Sequence, residues 1–137
     1  MTTTRTADMA SRSLSVNAST VGRAVAAAGV LLSADVHLVL YFEGFGDISV
    51  VGPAFLLNAV GGLAIGLAVL VWRSWLPLLA AIGFGIATLV AFYLSATIGF
   101  FGVYETWGGN QQIVAEVAEW AAVVGAAAAG VFERRKS

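Results

Sequence analysis

The chain contains no cysteine, only two prolines, and few charged residues, which make up 11% of its 137 residues. The lack of cysteine excludes disulfide bonds, thiolate metal sites and cysteine nucleophiles. A soluble domain would carry about 25% charged residues, so this chain does not resemble an ordinary water-soluble protein. Hydrophobic residues make up 59% of the sequence. This composition favours an integral membrane protein that forms a single compact unit.

Basic residues are absent from the four long apolar stretches of the chain and from the segments at residues 43–49 and 102–111. The seven Lys and Arg residues lie before the first stretch, between the second and third, or after the fourth: Arg5, Arg12, Arg23, Arg73, Arg134, Arg135 and Lys136. This is the positive-inside pattern of a protein with four membrane crossings and with both termini in the cytoplasm. Charge that is sorted in this way orients a chain in a bilayer and does not suggest a nucleic-acid partner.

The four apolar stretches predict an all-α fold, an antiparallel bundle of four transmembrane helices. The predicted spans are residues 24–42, 50–72, 76–101 and 111–132, each close to the roughly 20 residues that cross the hydrocarbon. Helices are expected because lipid cannot satisfy unpaired backbone groups. Residues 1–23 are expected to form a flexible cytoplasmic tail, and residues 133–137 a short basic cytoplasmic tail.

Small residues recur at every fourth position of the predicted spans. Examples are Gly29 and Ser33 in the first span and Gly83 and Ala87 in the third. In the fourth span, alanines stand four residues before and four residues after Ala122. Such ladders let helix backbones approach closely, although a chain rich in Ala and Gly also produces them by chance. They predict a tightly packed bundle with little room for a wide pore.

Strongly polar side chains gather in one layer, in the outer half of the predicted bundle. At about 1.5 Å per residue, all of them lie outward of the middle of their spans. Ionisable groups in hydrocarbon cost roughly 2.5–3.5 kcal/mol each on insertion scales, so such a group is expected to face the bundle interior and to mark a functional site. The predicted ligand-binding or proton-binding residues are Asp35, His37, Asn58, Tyr93, Glu116 and Glu119.

Angular position predicts which of these side chains meet. His37 lies on the small-residue face of its helix, and Glu116 and Glu119 share one face of the fourth helix, so these three can converge with Asn58. Asp35 lies about 160° around the helix from His37. It is therefore expected to meet a neighbouring helix or to lie at a subunit contact.

The polar layer is compatible with more than one chemistry. His37, Glu116 and Glu119 form a candidate ligand set for zinc, manganese or iron, although the usual HxxxH and ExxH spacings are missing. A histidine beside carboxylates also suits proton binding near neutral pH. For His37 alone, a neutral hydrogen-bonded contact between helices is the favoured interpretation. For the whole layer, a binding site is favoured.

The first functional hypothesis is an integral membrane binding or accessory protein. It would hold a metal ion, a proton or a small ligand in the polar layer, or support a membrane complex, with the lipid bilayer and further copies or subunits as partners. A small oligomeric proton-coupled transporter is one alternative, because small four-helix multidrug transporters also place a carboxylate in their first helix, as Asp35 is placed here. The apolar inner half argues against a continuous path in a monomer. A metal-dependent membrane enzyme is another alternative, but no nucleophile arrangement, phosphate loop or dinucleotide fingerprint is present.

Three short runs give the chain a family resemblance: ADVHL at residues 34–38, PAFLLNAV at 53–60 and YE at 104–105. In these runs the chain resembles small four-helix membrane proteins that are common in high-GC Gram-positive bacteria. The resemblance covers about residues 21–130. It implies the four-helix architecture and a bacterial plasma membrane location, and it implies no activity.

Overall fold

The computed structural model describes residues 2–105 and 107–135, without the side chains of residues 2–4 and 11–17. Four α-helices follow one another in this part of the chain: α1 (Thr2–Phe42), α2 (Val51–Val71), α3 (Trp75–Thr97) and α4 (Asn110–Arg134). A short 3₁₀ turn (Phe45–Asp47) follows α1. All four helices contain a segment that is long and apolar enough to cross a membrane. The predicted architecture of four apolar helices in a bundle is confirmed at this level.

The first helix begins much earlier than the predicted first span. Residues 1–23 were expected to be a flexible tail, but α1 is helical from Thr2 onwards. Within this early part of α1, Ser19 and Arg23 are 2% and 4% exposed, because their polar groups bond within the bundle. At the other end of the chain, Glu133 and Arg134 belong to α4, and Lys136 lies outside the described residues.

The core of the bundle is built from small side chains. α1 makes its most extensive contacts with α4 and then with α2, while α3 packs mainly against α4. Because alanine is short, neighbouring helices can approach closely along these faces. The central buried residues are Ala26, Ala27, Val30, Val69, Leu78, Ala81, Ala122, Ala126 and Ala129.

Backbones of α1 and α4 touch at glycines. A Cβ atom added to Gly29 would collide with the Ala118 carbonyl oxygen and would lie 2.6 Å from the Ala122 nitrogen. A Cβ atom added to Gly125 would lie 2.7 Å from the Ala26 nitrogen. Any larger residue would have to push the helices apart. The close contact supplies dispersion energy. This energy matters in a membrane because lipid tails are as apolar as the helix surface and therefore give helices no hydrophobic drive to associate.

One end of the bundle is held together by the buried guanidinium of Arg23. Its Nε donates to Glu133 Oε1 at 2.6 Å, and its Nη2 donates to Glu133 Oε2 at 2.9 Å, which makes a bidentate pair between α1 and α4. Nη1 donates to the carbonyls of Val69 at 3.1 Å and Trp72 at 3.2 Å, and Nη2 to that of Ser74 at 2.7 Å. These carbonyls lie where α2 ends, so Arg23 also satisfies acceptors that a helix C-terminus leaves open. We refer to this as the Arg23 end of the bundle.

Replacing Gly29 by alanine is expected to destabilise the bundle by about 1–3 kcal/mol, because overpacking forces the α1 and α4 backbones apart. Gly83→Ala is the matched control, since nothing lies within 4 Å of an added Cβ there. That control is expected to be neutral, or to be stabilising by up to about 1 kcal/mol through helix propensity. Reversible unfolding in detergent micelles measures both. Equal stability of the two variants would contradict the close contact.

Loss of the Arg23 guanidinium is expected to destabilise the fold by about 3 kcal/mol, the lower end of the cost of breaking a buried ion pair. The lower end applies because the Glu133 side chain remains 29% exposed. Arg23→Met tests this, with Arg73→Met at an exposed arginine as the control. The double variant Arg23→Met/Glu133→Leu should recover part of the loss in a denaturant titration. An Arg23→Met variant as stable as the control would contradict the assignment.

Candidate functional site

A cavity of about 210 Å³ lies at the end of the bundle opposite Arg23. Along α1, its lining residue His37 lies 14 residues beyond Arg23, which corresponds to roughly 21 Å of helix. All four helices and the loop between α3 and α4 contribute to the wall. The polar lining residues are His37, Asn58, Thr88, Ser95, Glu105, Gln111, Gln112, Glu116 and Glu119.

Four of the six predicted site residues line this one cavity: His37, Asn58, Glu116 and Glu119. The other two lie elsewhere. Tyr93 is 36% exposed, and its hydroxyl donates to Glu116 Oε1 at 2.7 Å, so it holds one wall residue from outside the cavity. Asp35 is exposed on the opposite side of α1 from the cavity, in agreement with the 160° offset from His37.

Glu119 is the most deeply buried acid of the cavity. It is 2% exposed, and its Oε1 accepts a hydrogen bond of 3.1 Å from the Ser33 hydroxyl. The bond joins α4 to α1 about one turn beyond the close contact at Gly29. Ser33 is not among the site residues predicted from the sequence. Its position one turn before His37, on the small-residue face, does indicate that it can lie beside the same groups.

Backbone hydrogen bonding shows which ring nitrogen of His37 carries a hydrogen. Its Nδ1 lies 2.8 Å from the Ser33 carbonyl oxygen. Because a carbonyl only accepts, Nδ1 carries a hydrogen, and Nε2 is an acceptor whenever the ring is neutral. The ring packs edge-on against Phe55 at 5.0 Å between centroids. Nε2 makes no hydrogen bond within the described part of the chain and is available to the cavity.

Asn58 presents an unpaired acceptor. Its Oδ1 is buried and has no hydrogen-bond partner among the residues that the structure describes. A buried acceptor without a partner costs about 1–3 kcal/mol. Asn58 lies on α2 in the cavity wall, so a donor inside the cavity would remove that cost.

The loop between α3 and α4 covers the end of the cavity that is farthest from Arg23. Glu105 accepts a 2.8 Å hydrogen bond from Gln112 Nε2, and its backbone nitrogen donates to the Ser95 carbonyl at 3.3 Å. The Ser95 hydroxyl donates to the Val103 carbonyl at 2.9 Å. Glu105 therefore faces the cavity, although the sequence suggested only a residue of an outer connecting segment.

The predicted metal site is not formed. Among residues 2–105 and 107–135, no group of three or more His, Asp or Glu side chains could hold a metal ion. The reason is that the three proposed ligands turn to different partners. Glu119 bonds Ser33, Glu116 bonds Tyr93, and His37 Nδ1 bonds a backbone carbonyl.

The cavity carries an excess of hydrogen-bond acceptors and of acidic groups. Three carboxyl groups line it, from Glu105, Glu116 and Glu119, together with the acceptors Asn58 Oδ1 and His37 Nε2. No Lys or Arg is present among its described lining residues. The remaining wall is mostly apolar and includes the aromatic side chains of Phe55, Phe92 and Phe100.

The cavity ends inside the bundle. Its deepest lining residues are near Thr88 and Glu119. Toward the Arg23 end, the next layers contain Val30, Val69 and Ala122, all of which are fully buried in the core. A single copy of the chain therefore has a cavity that is closed at the Arg23 end.

No protein-family model, curated protein or solved structure matches this chain.

Two polar residues of the cavity are expected to affect stability in opposite ways. Ser33→Ala removes the donor to buried Glu119 and should destabilise the fold by about 1–3 kcal/mol. Asn58→Leu removes an acceptor that has no partner, and it should be neutral or stabilising in the absence of ligand. Thermal unfolding of the two variants beside the unsubstituted protein measures the difference. A strongly destabilised Asn58→Leu variant would show that Oδ1 has a structural partner.

Proposed function

We propose that the chain is a multi-pass protein of a bacterial plasma membrane, with antiparallel helices and with both termini in the cytoplasm. The hydrogen bonds of Arg23 support the antiparallel order, because they join the early part of α1 to the ends of α2 and α4 and to Ser74 before α3. The sorting of all seven basic residues supports the orientation. In this orientation the cavity lies in the outer half of the bilayer.

The proposed function is the binding of a small organic cation, such as a protonated amine, in this cavity. The observation that carries the proposal is the unpaired, buried Asn58 Oδ1 in a wall that also presents His37 Nε2 and three carboxyl groups. An ammonium group is a donor only, with up to three N–H bonds to give. It therefore complements a cavity in which acceptors are in surplus.

Charge and shape favour a cation over a neutral ligand. Three carboxyl groups line the cavity, and no Lys or Arg is among its described lining residues, so each carboxyl group that is ionised gives the cavity a negative potential that attracts a cation. The rings of Phe55, Phe92 and Phe100 can contact a cation with their faces or its alkyl part with their edges. At about 210 Å³, the cavity is smaller than the 300–1,000 Å³ usual for drug-sized ligands, so the ligand is small.

Acceptor placement also favours an organic cation over a metal ion. A metal needs several ligands around one point, and the described residues supply no such group. An ammonium group with an alkyl or aromatic body instead uses a few separated acceptors and an apolar wall. Of the hypotheses drawn from the sequence, the small-ligand binding protein is the one that this wall supports best.

Binding is favoured over transport because of the closed core. The fully buried residues Val30, Val69 and Ala122 separate the cavity from the Arg23 end. Transport would require these helices to separate, although α1 and α4 are in backbone contact at Gly29. We therefore propose a receptor-like or accessory role, in which the cavity is loaded and emptied from the outer side.

Benzylammonium and benzyl alcohol are a matched ligand pair for testing this function, because they share size and shape and differ in charge. Calorimetric titration of the protein in lipid nanodiscs is expected to show at least tenfold tighter binding of the cation. Asn58→Leu and Glu119→Gln should each weaken that binding about tenfold, since each removes an acceptor or a charge. Asp47→Asn is the control, because it removes an exposed acid that does not line the cavity.

Equal affinity for the two ligands, or equal effects of the Asp47 and Glu119 substitutions, would contradict the proposal. Movement of benzylammonium across protein-containing liposomes, beyond that of empty liposomes, would instead support the transporter alternative.

A further inference from the structure

Although α1 is the most extensively packed helix, it leaves one continuous face uncovered. Residues along this face follow the alternating spacing of four and three that places side chains on one seam of a coiled coil. Every one of them is exposed in the folded chain. The seam consists of Val21, Val25, Ala28, Leu32, Asp35, Val39 and Phe42.

Asp35 is the one polar residue of the seam. It is exposed, and it makes no hydrogen bond or ion pair with the rest of the described residues. It lies seven residues before Phe42, about 10 Å from the end of the helix. The short aspartate side chain cannot reach the membrane surface over that distance, as a lysine or arginine could.

We propose that the α1 seam is the interface with a second copy of this chain, in which the two Asp35 side chains meet. Two helices that associate along a heptad seam in the same orientation bring identical positions together. Two facing carboxyl groups that share one proton can then form a hydrogen bond between the copies. Ala28, about two turns before Asp35 in the helix, lets the two backbones approach.

The distribution of charge favours a second copy of the chain as the partner of this seam. All seven basic residues are confined to segments outside the predicted spans, so neither this chain nor a second copy places Lys or Arg beside Asp35. Copies that share one membrane orientation present the same groups at the same depth. The self-complementary group available at that depth on the exposed seam is Asp35 itself. A polar residue in an apolar seam is also the usual device that fixes register between two helices.

Cross-linking can test the interface cleanly, because the chain has no cysteine of its own. Leu32→Cys places one thiol in the seam, and Val90→Cys places one on α3 at similar exposure, 51% against 44%. In liposomes at low protein density, a short bismaleimide is expected to give a dimer with Leu32→Cys. Val90→Cys should give only the background of random collisions.

The carboxyl group can be tested in the same background. Asp35→Ala should raise the dissociation constant of the dimer about tenfold, measured by single-molecule photobleaching over a dilution series in liposomes. Asp35→Asn should retain most of the association, because an amide pair can replace the carboxyl pair. Since Asp35 has no partner among the residues that the structure describes, thermal unfolding of the monomer should not change in either variant.

A monomeric protein at all densities, equal cross-linking at positions 32 and 90, or an unchanged dissociation constant in Asp35→Ala would each overturn the proposal. These outcomes are independent of ligand binding in the cavity, which lies on the other side of α1.

Discussion

The backbone contact between α1 and α4 is the constraint on which the rest of the structure depends. Lipid offers no hydrophobic drive for helices to associate, so tight packing must hold them together. Glycines at positions 22, 29 and 125 allow that packing. Because α4 lies so close to α1 at Gly29, Glu119 falls within hydrogen-bonding distance of Ser33 one turn further on. The site is therefore a consequence of how closely two helices can approach.

The two ends of the bundle treat buried polar groups in opposite ways. At the Arg23 end, one guanidinium meets a carboxylate and three backbone carbonyls, and its hydrogen-bonding capacity is used within the fold. At the other end, Asn58 Oδ1 is buried without a partner in the described part of the chain, and His37 Nε2 makes no hydrogen bond there either. Where all buried polar groups are already hydrogen-bonded, a ligand gains little by binding there. An end with open acceptors gains stability when a donor arrives, which is the physical basis for assigning function to it.

Hydropathy and helical periodicity predict a large part of this arrangement. The apolar stretches predict the four helices, and angular position predicts that His37, Asn58 and Glu119 share a wall while Asp35 points away. Other features depend on contacts that a linear pattern does not contain. The sequence predicts that Arg23 is an anchor at the membrane surface. Its burial could not be predicted, because the carbonyls that surround it come from distant parts of the chain.

The small-residue ladders show the same limit at single residues. Gly83 belongs to a regular ladder, yet its face is open, whereas Gly85, two residues later, meets the Glu119 carbonyl oxygen of α4. In a helix rich in Ala and Gly, several faces carry small residues, and only the neighbouring helix decides which is used. Glu105 was not predicted to line the cavity, because it lies in a loop. The fold of that loop, and not a helical period, directs its side chain to the cavity.

His37 and Asp35 show how one helix can serve two purposes. Two residues of α-helix separate their directions by about 160°, so a group that lines the cavity and a group that faces lipid can be close in sequence without interfering. A second copy on the Asp35 seam therefore leaves the cavity accessible on the other side of α1. Assembly and ligand binding then depend on different carboxyl groups, and a substitution in one need not disturb the other. This separation follows from helix geometry alone.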